Sequence, residues 1–146
     1  MTTINIYLTF NGNCEVAFNF YKSVFGGDFA SFDKFKDMPE NKEFTVPESE
    51  KEKLMHVSLP ISKETVLMGS DTDGEWASQY KQGNNFSISI NANSKEEADR
   101  FFNELSKDGH VIMPMNKTFW NSYFGNFIDK FGINWMVSLD TSNKKK

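Results

Sequence analysis

The sequence predicts an α+β fold in which two βαβββ units form one curved mixed sheet around a cleft, with the helices outside. Each half of the chain shows the order strand, helix and then three strands. The two predicted helices also align with each other, because the shift that places Glu15 on Glu96 places Ala17 on Ala98. The 146 residues are 38% hydrophobic and 15% aromatic, which is enough for the core of a single domain.

The first unit is predicted to span residues 3–71 and to begin with a strand. Ile4–Phe10 alternates along its length and is rich in β-forming residues. Asn13 is a suitable N-cap for the next helix, whose apolar residues recur at helical spacing until Gly26-Gly27 ends it. The polar segment 36–53 predicts a long exposed loop that is mobile when the protein is empty. The other strands of this unit are predicted at 28–35, 54–61 and 65–70.

The second unit repeats this order after a linker. Its helix begins with a capping box, because Ser94 can accept from the amide of Glu97 while the Glu97 side chain reaches back. The acidic residues 71–75 resemble half of a calcium loop, but the other ligands are missing, which favours an ordinary turn. The predicted linker, unit and tail are 72–83, 84–140 and 141–146, with strands near 86–90, 111–115, 120–127 and 133–139 and a helix at 94–107.

The last two strands are predicted to form a hairpin around a tight turn at residues 129–132. Asp129 can accept hydrogen bonds from the turn's own backbone, and Gly132 can adopt the positive φ that other residues resist. Alternation gives the final strand an apolar face for core packing and a semi-polar face that suits a cavity wall. The apolar face carries Ile133, Trp135, Val137 and Leu139, and the semi-polar face carries Asn134, Met136 and Ser138.

Charge and cysteine content exclude several classes of partner. The net charge of −4 and the pI near 5.2 argue against nucleic-acid binding, which needs clustered basic residues. The basic run Lys144–Lys146 is expected to be a solvated tail. Cys14 is the only cysteine, so the chain cannot form an internal disulfide. No apolar stretch approaches the length of a membrane span, and we therefore expect a cytoplasmic protein that does not bind membranes.

Five segments of the chain carry a resemblance to a known family. They are YLTFNGNCEVAFNFYKSVFGG at 7–27, MHVSLPI at 55–61, VLMGSD at 66–71, GHVIMPM at 109–115 and WNSYFGNFIDKFGINWMV at 120–137. These segments resemble the vicinal oxygen chelate superfamily, which includes glyoxalase I, bleomycin-resistance proteins and extradiol dioxygenases. The resemblance is to its PhnB-like branch, some members of which are called 3-demethylubiquinone methyltransferase-like. The sequence has no glycine-rich nucleotide loop after a strand, so it does not predict that activity.

The resemblance implies four metal-ligand positions on inward strand residues, where superfamily enzymes use His, Glu or Gln. In this sequence the positions fall at Asn5, Met68, Asn85 and Met136. Neither methionine suits a hard divalent ion, and asparagine amides are weak donors. We therefore expect neither a bound metal nor any other cofactor.

The conventional catalytic residue types are sparse. His56 lies in the third strand and is a weak candidate for a general base, although a histidine hydrogen-bonded within the sheet is the better interpretation. His110 is expected to be exposed at the start of a strand. Cys14 lies in the first turn of the first helix, where amide dipoles could lower its pKa, but a small packing residue is the favoured interpretation.

Inward strand positions supply a candidate cleft lining of aromatic, sulfur and hydroxyl groups with few charges. Such a wall suits an apolar or aromatic ligand oriented by a few hydrogen bonds. The predicted ligand-binding residues are Tyr7, Thr9, His56, Ser58, Met68, Ser70, Ser87, Ser89, Trp120, Ser122, Asn134 and Met136.

Three functions remain open from the sequence. The leading hypothesis is a metal-free protein that binds a small molecule, because the superfamily's shared chemistry needs a metal to stabilise an oxyanion. The second is a metal-dependent lyase, isomerase or transferase that uses His56 with an acidic residue. The third is a non-catalytic dimeric scaffold. The resemblance also implies a homodimer.

Overall fold

The protein consists of two compact units, Met1–Lys81 and Gln82–Lys146. Each unit contains one α-helix and one four-stranded sheet. In the described part of the chain, no helix is long and apolar enough to cross a membrane. The residues that the computed structural model describes are 2–39, 46–72 and 74–140.

The first unit has the predicted βαβββ order. Its sheet has the strand order β1-β4-β3-β2, in which β1 and β4 are parallel and the other neighbours are antiparallel. Short 3-10 helices flank the segment around residue 40. The elements are β1 (Ile6–Phe10), α1 (Cys14–Phe25), β2 (Ser31–Lys34), β3 (Leu54–Pro60) and β4 (Val66–Asp71), with 3-10 helices at Phe35–Asp37, Glu48–Glu50 and Gly74–Gln79.

The second unit repeats the arrangement. Its sheet has the order β5-β8-β7-β6, again with one parallel pair, β5 and β8. The α+β fold with two βαβββ units is therefore confirmed, and the eight strands pair within two sheets of four. The elements are β5 (Ile88–Asn91), α2 (Lys95–Ser106), β6 (His110–Lys117), β7 (Ser122–Ile128) and β8 (Asn134–Asp140).

Helix α1 packs on one face of the first sheet. The ring of Phe18 lies edge-on to those of Phe10 and Tyr21, at centroid distances of 6.2 and 5.5 Å. Gly69 in β4 allows this approach, because a Cβ there would lie 2.6 Å from Phe18 Cε1. Leu8 is the partner of Gly69 in the parallel pair, so both residues belong to the face that α1 covers.

The N-terminus of α1 is capped from a distant strand. Asn13 occupies the predicted N-cap position, but its side chain makes no capping hydrogen bond. Instead, Asp71 Oδ1 accepts from the amides of Gly12 (2.9 Å) and Cys14 (3.0 Å), while Oδ2 accepts from the amide of Leu54 (2.9 Å). The predicted capping role of Asn13 is therefore wrong, because the Asp71 carboxylate at the end of β4 takes the donors.

Helix α2 has the predicted N-cap. Ser94 Oγ accepts from the amide of Glu97 at 3.1 Å, and Glu97 Oε1 accepts from the amide of Asn93, one residue before the cap, at 2.9 Å. The ring of Phe102 packs edge-on against Phe127 at 5.1 Å. The sheet face that carries Phe127 is therefore the one that α2 covers.

The turn between β7 and β8 forms as predicted. Asp129 is buried, and its Oδ1 accepts from the amides of Phe131 (2.8 Å) and Ile133 (3.0 Å). Gly132 has the positive φ of 92°. Asp129 Oδ2 also accepts from the indole Nε1 of Trp135 at 2.8 Å, a contact that the sequence did not indicate.

Several predicted strand boundaries are wrong. Strand β1 begins at Ile6 rather than at Ile4, and β5 begins at Ile88 rather than near residue 86. Strand β2 begins at Ser31 rather than at residue 28, after two glycines with positive φ at the end of α1. Strand β7 begins at Ser122, because a turn closed by hydrogen bonds between Thr118 and Ser122 places Trp120 outside the strand.

Parts of three predictions lie outside the described residues. They are the predicted mobility of the loop at residues 40–45, the acidic turn at residue 73 and the solvated tail at residues 141–146. Within the rest of the loop, Val46 is buried.

Candidate functional site

The first unit has a sheet face opposite α1, which we call the first helix-free face. Strand register places the predicted lining residues of this unit on it, because Tyr7 pairs with Met68, Thr9 with Ser70, and Met68 with Ser58. Strand β2 adds two residues that the sequence analysis did not select. The first helix-free face carries Tyr7, Thr9, Ser31, Asp33, His56, Ser58, Met68 and Ser70.

Three polar side chains on this face form a hydrogen-bonded cluster. Ser31 Oγ lies 2.8 Å from His56 Nδ1 and 3.1 Å from Ser58 Oγ. The Tyr7 ring lies beside the imidazole, with centroids 5.9 Å apart. The cluster therefore combines an aromatic surface with groups that donate and accept hydrogen bonds. The polar alternation of Ser31 and Asp33 within β2 was the signal that could have identified the missing residues.

The two histidines lie as the favoured interpretations expected. His56 is half-buried and hydrogen-bonded across the β2–β3 pair through Nδ1. His110 is exposed at the start of β6. The bond to Ser31 orients the His56 ring in the sheet, as a structural histidine requires.

The second unit has an equivalent second helix-free face, opposite α2. Register places Ser89, Met136 and Asn126 in one row, because Met136 pairs with both of the others. Ser122 and Asn134 lie on the same face through their pairing with Asp140 and Ile128. Ser138 also lies on this face, as its alternation with Met136 indicated, whereas the sequence analysis missed Asn126, Met113 and Phe124, which lie there too.

Two predicted lining residues lie outside the strands. Ser87 is exposed and directly precedes β5. Trp120 is 55% exposed in the turn before β7, where its ring packs edge-on against Phe119 with centroids 4.9 Å apart. Neither residue occupies the inward strand position that the sequence predicted.

Cys14 is a packing residue rather than an activated thiol. It is fully buried in α1. Burial raises the pKa of the Cys14 thiol well above its usual range, and the neighbouring charges of Asp71 and Glu15 add to the rise. Burial and these charges act against the lowering of the pKa that helix amides could produce, so the structure favours the packing interpretation.

A cavity of about 380 Å³ lies at one edge of the second unit, away from the predicted lining residues. Tyr123 donates to Asp99 Oδ1 at 2.6 Å, and the Lys95 ammonium lies 4.9 Å from the Tyr123 ring. The Tyr123 hydrogen bond lowers the pKa of Asp99, and Lys95 lowers it further. The cavity is lined by Lys95, Asn116, Lys117, Tyr123 and Leu139.

Comparison with known proteins identifies the family. A sequence profile described as 3-demethylubiquinone-9 3-methyltransferase matches residues 2–138. The chain belongs to this family. The crystal structure of protein PA1353 from Pseudomonas aeruginosa is similar to this chain: it is 39% identical, with 97% of this chain and 100% of that one covered and a TM-score of 0.81.

Two more distant structures share the fold of this 3-demethylubiquinone-9 3-methyltransferase family member. The putative 3-demethylubiquinone-9 3-methyltransferase, PhnB protein, from Bacillus cereus is 23% identical, covers 94% of this chain and 99% of its own, and has a TM-score of 0.73. A glyoxylase/bleomycin resistance protein/dioxygenase domain from Frankia sp. EAN1pec is 10% identical, covers 99% and 95%, and has a TM-score of 0.67. At these identities the two structures show that the chain shares their fold.

The superfamily's metal positions in this family member do not fit a divalent ion. Asn5 Oδ1 accepts from the amide of Val66 at 3.2 Å and therefore holds the start of β4. Asn85 is exposed before β5. Met68 and Met136 lie on the helix-free faces but offer only thioether sulfur. Among the described residues, no group of three or more His, Cys, Asp or Glu side chains could hold a metal ion.

Proposed function

We propose that this protein binds a small apolar or aromatic molecule on the first helix-free face. The observation that carries the proposal is the cluster of Tyr7, His56, Ser31 and Ser58. Tyr7 is 48% exposed and offers its ring, while Met68 beside it supplies a polarisable sulfur. His56, Ser31 and Ser58 offer hydrogen bonds that would orient a polar group of the ligand.

The side chains at the four superfamily metal positions favour binding without a metal over metal-assisted chemistry. A hard divalent ion needs oxygen or imidazole ligands, and two of the four superfamily positions hold methionine. The family description names a methyltransferase, and the chain has no glycine-rich loop of the kind that binds nucleotide cofactors. The proposal therefore concerns recognition rather than turnover.

The test is a panel of small aromatic compounds screened by thermal shift, followed by calorimetry on any compound that raises the melting temperature. Replacing Tyr7→Ala should weaken binding roughly tenfold, because a ring contact of this kind is worth about 1–1.5 kcal/mol. Phe86→Ala is the matched control, since Phe86 is 59% exposed but lies outside the helix-free faces. A panel in which no compound stabilises the protein, or equal binding by Tyr7→Ala and the control, would contradict the proposal.

We also propose that the protein is a homodimer that pairs through the surface of β6. This strand lies at an edge of the second sheet, and its side chains Val111 and Ile112 are 43% and 49% exposed. Phe119, just beyond it, is 94% exposed. A second copy suits this surface, because a twofold axis brings the same uncharged residues together without like-charge repulsion.

Light scattering at micromolar concentration tests the dimer. The wild type should show the mass of two chains, and Ile112→Lys should shift it towards one chain by burying a charge at the interface. Val16→Lys is the control, because Val16 is 61% exposed on α1. A single-chain mass for the wild type would exclude the dimer.

We further propose a cytoplasmic location, on the basis of the single, buried and reduced Cys14.

A further inference from the structure

The second helix-free face contains a polar group that the fold does not satisfy. Asn126 lies in the centre of β7, with Met113 of β6 on one side and Met136 of β8 on the other. Its side-chain oxygen Oδ1 is shielded from solvent, and no group in the described residues donates a hydrogen bond to it.

An unpaired carbonyl oxygen of this kind is costly to bury, because the water that it loses on folding is not replaced. An apolar residue of the same size would avoid the cost, and the apolar neighbours would accommodate it. Asn91 on the same face illustrates the usual solution, since its Oδ1 accepts from the Ser138 hydroxyl at 3.1 Å. Asn126 therefore differs from Asn91 in lacking an internal partner for its oxygen.

The two flanking methionines define what could approach this oxygen. Thioethers make favourable contacts with aromatic rings and adapt to their shape. The register of β6 is also irregular on both sides of Met113, and such irregularities are common beside binding sites, where they redirect a side chain. The surroundings of Asn126 thus suit a flat, aromatic molecule better than an ion or a sugar.

We propose that Asn126 Oδ1 is the hydrogen-bond acceptor of a binding site on the second helix-free face, for a small aromatic molecule that carries an O–H or N–H donor. The ring contacts Met113 and Met136, and the donor satisfies the oxygen. This site goes beyond the function proposed above, because it concerns the second unit and requires a donor on the ligand.

The test compares 2-naphthol with 2-methoxynaphthalene, which share the same rings but differ in the O–H donor. Protein is titrated into a fixed low concentration of either probe, and probe fluorescence anisotropy gives the dissociation constant. Wild-type protein should bind 2-naphthol roughly tenfold more tightly than the methyl ether, the factor that one hydrogen bond supplies. In Asn126→Leu and Asn126→Ala the preference should disappear.

Asn91→Leu is the matched control, because Asn91 lies on the same face with its oxygen already paired, and it should leave the preference unchanged. The free Asn126→Leu protein should also melt no lower than the wild type, since it loses an unsatisfied group.

Equal binding of the two probes by wild type, or a preference that survives in both Asn126 variants, would overturn this site while leaving the first helix-free face untouched. No binding of either probe would overturn it as well. A melting temperature of Asn126→Leu several degrees below that of the wild type would show that the oxygen has an internal partner, which also refutes the inference.

Discussion

The buried contact between Asp129 and Trp135 should dominate the stability of the second unit's hairpin. In Asp129→Asn the amide oxygen can keep the bonds to the amides of Phe131 and Ile133. The amide nitrogen then takes the place of Oδ2, which in the wild type lies 2.8 Å from the Trp135 indole nitrogen. Two hydrogen-bond donors therefore face each other at that position. A lost bond to a charged group and an unsatisfied buried donor together predict a loss of about 2–4 kcal/mol in the free energy of unfolding.

Urea unfolding followed by far-ultraviolet circular dichroism measures this loss. Asp108→Asn is the matched control, because Asp108 is exposed and has the positive φ of 62° that asparagine tolerates, and it should change stability by less than about 0.5 kcal/mol. In a Trp135→Phe background the opposing donor is gone, so Asp129→Asn should cost about 1–2 kcal/mol less than in the wild type. An equal cost in both backgrounds would refute the role of the indole contact.

Three further changes test other parts of the structure. Because burial raises the Cys14 pKa, the thiol of the unfolded chain ionises first as the pH rises through the ordinary value of 9.0. Above that pH, the stability of the wild type should fall by up to about 1.4 kcal/mol per pH unit relative to Cys14→Ala. Parallel pH profiles of stability for the two proteins would contradict this. Ser94→Ala should lower the free energy of unfolding by about 1 kcal/mol, because the helix loses its N-cap hydrogen bond. Asn13→Ala should lower it far less, because the Asn13 side chain makes no capping hydrogen bond. Equal losses on urea unfolding would mean that Asn13 also caps its helix. Gly109→Ala should lower the free energy of unfolding by at least about 2 kcal/mol, because the new Cβ would overlap the Ile128 carbonyl oxygen. Gly83→Ala is the control, because a Cβ at Gly83 meets open space, and it should change stability by less than about 0.5 kcal/mol. Similar melting temperatures for the two variants would count against the packing at Gly109.

Local alternation was enough to predict which faces of β1 and β8 pack. Trp135 and Val137 are buried, as their spacing indicated, and the intervening Met136 lies on the opposite face. The same rule placed Tyr7 and Thr9 away from α1. This works because the period of a strand depends only on the backbone, so no knowledge of the partner strand is needed.

The features that the sequence analysis missed depend on contacts between distant segments. Asp71 follows Gly12 by 59 positions, and nothing near α1 indicates that a carboxylate will arrive there in place of the Asn13 amide. Ser31 contacts His56 only because β2 pairs with β3 in one particular register. Predicting that β2 starts at residue 28 gave no information about this register. Trp120 was misplaced for a different, local reason, since the turn that removes it from β7 is closed by Thr118 and Ser122, which are four positions apart.

Asn126 shows why a candidate site is harder to predict than the face that carries it. In the sequence it is one polar residue among the aromatic residues of β7, and the sequence analysis did not select it. Its significance comes from Met113 and Met136, which belong to two other strands and cannot donate to its oxygen. A serine at either position would have satisfied the amide and left an ordinary sheet contact. The chemistry of this face therefore depends on which side chains pairing brings together, and a lost naphthol preference in Asn126→Leu without a loss of stability would separate that role from a structural one.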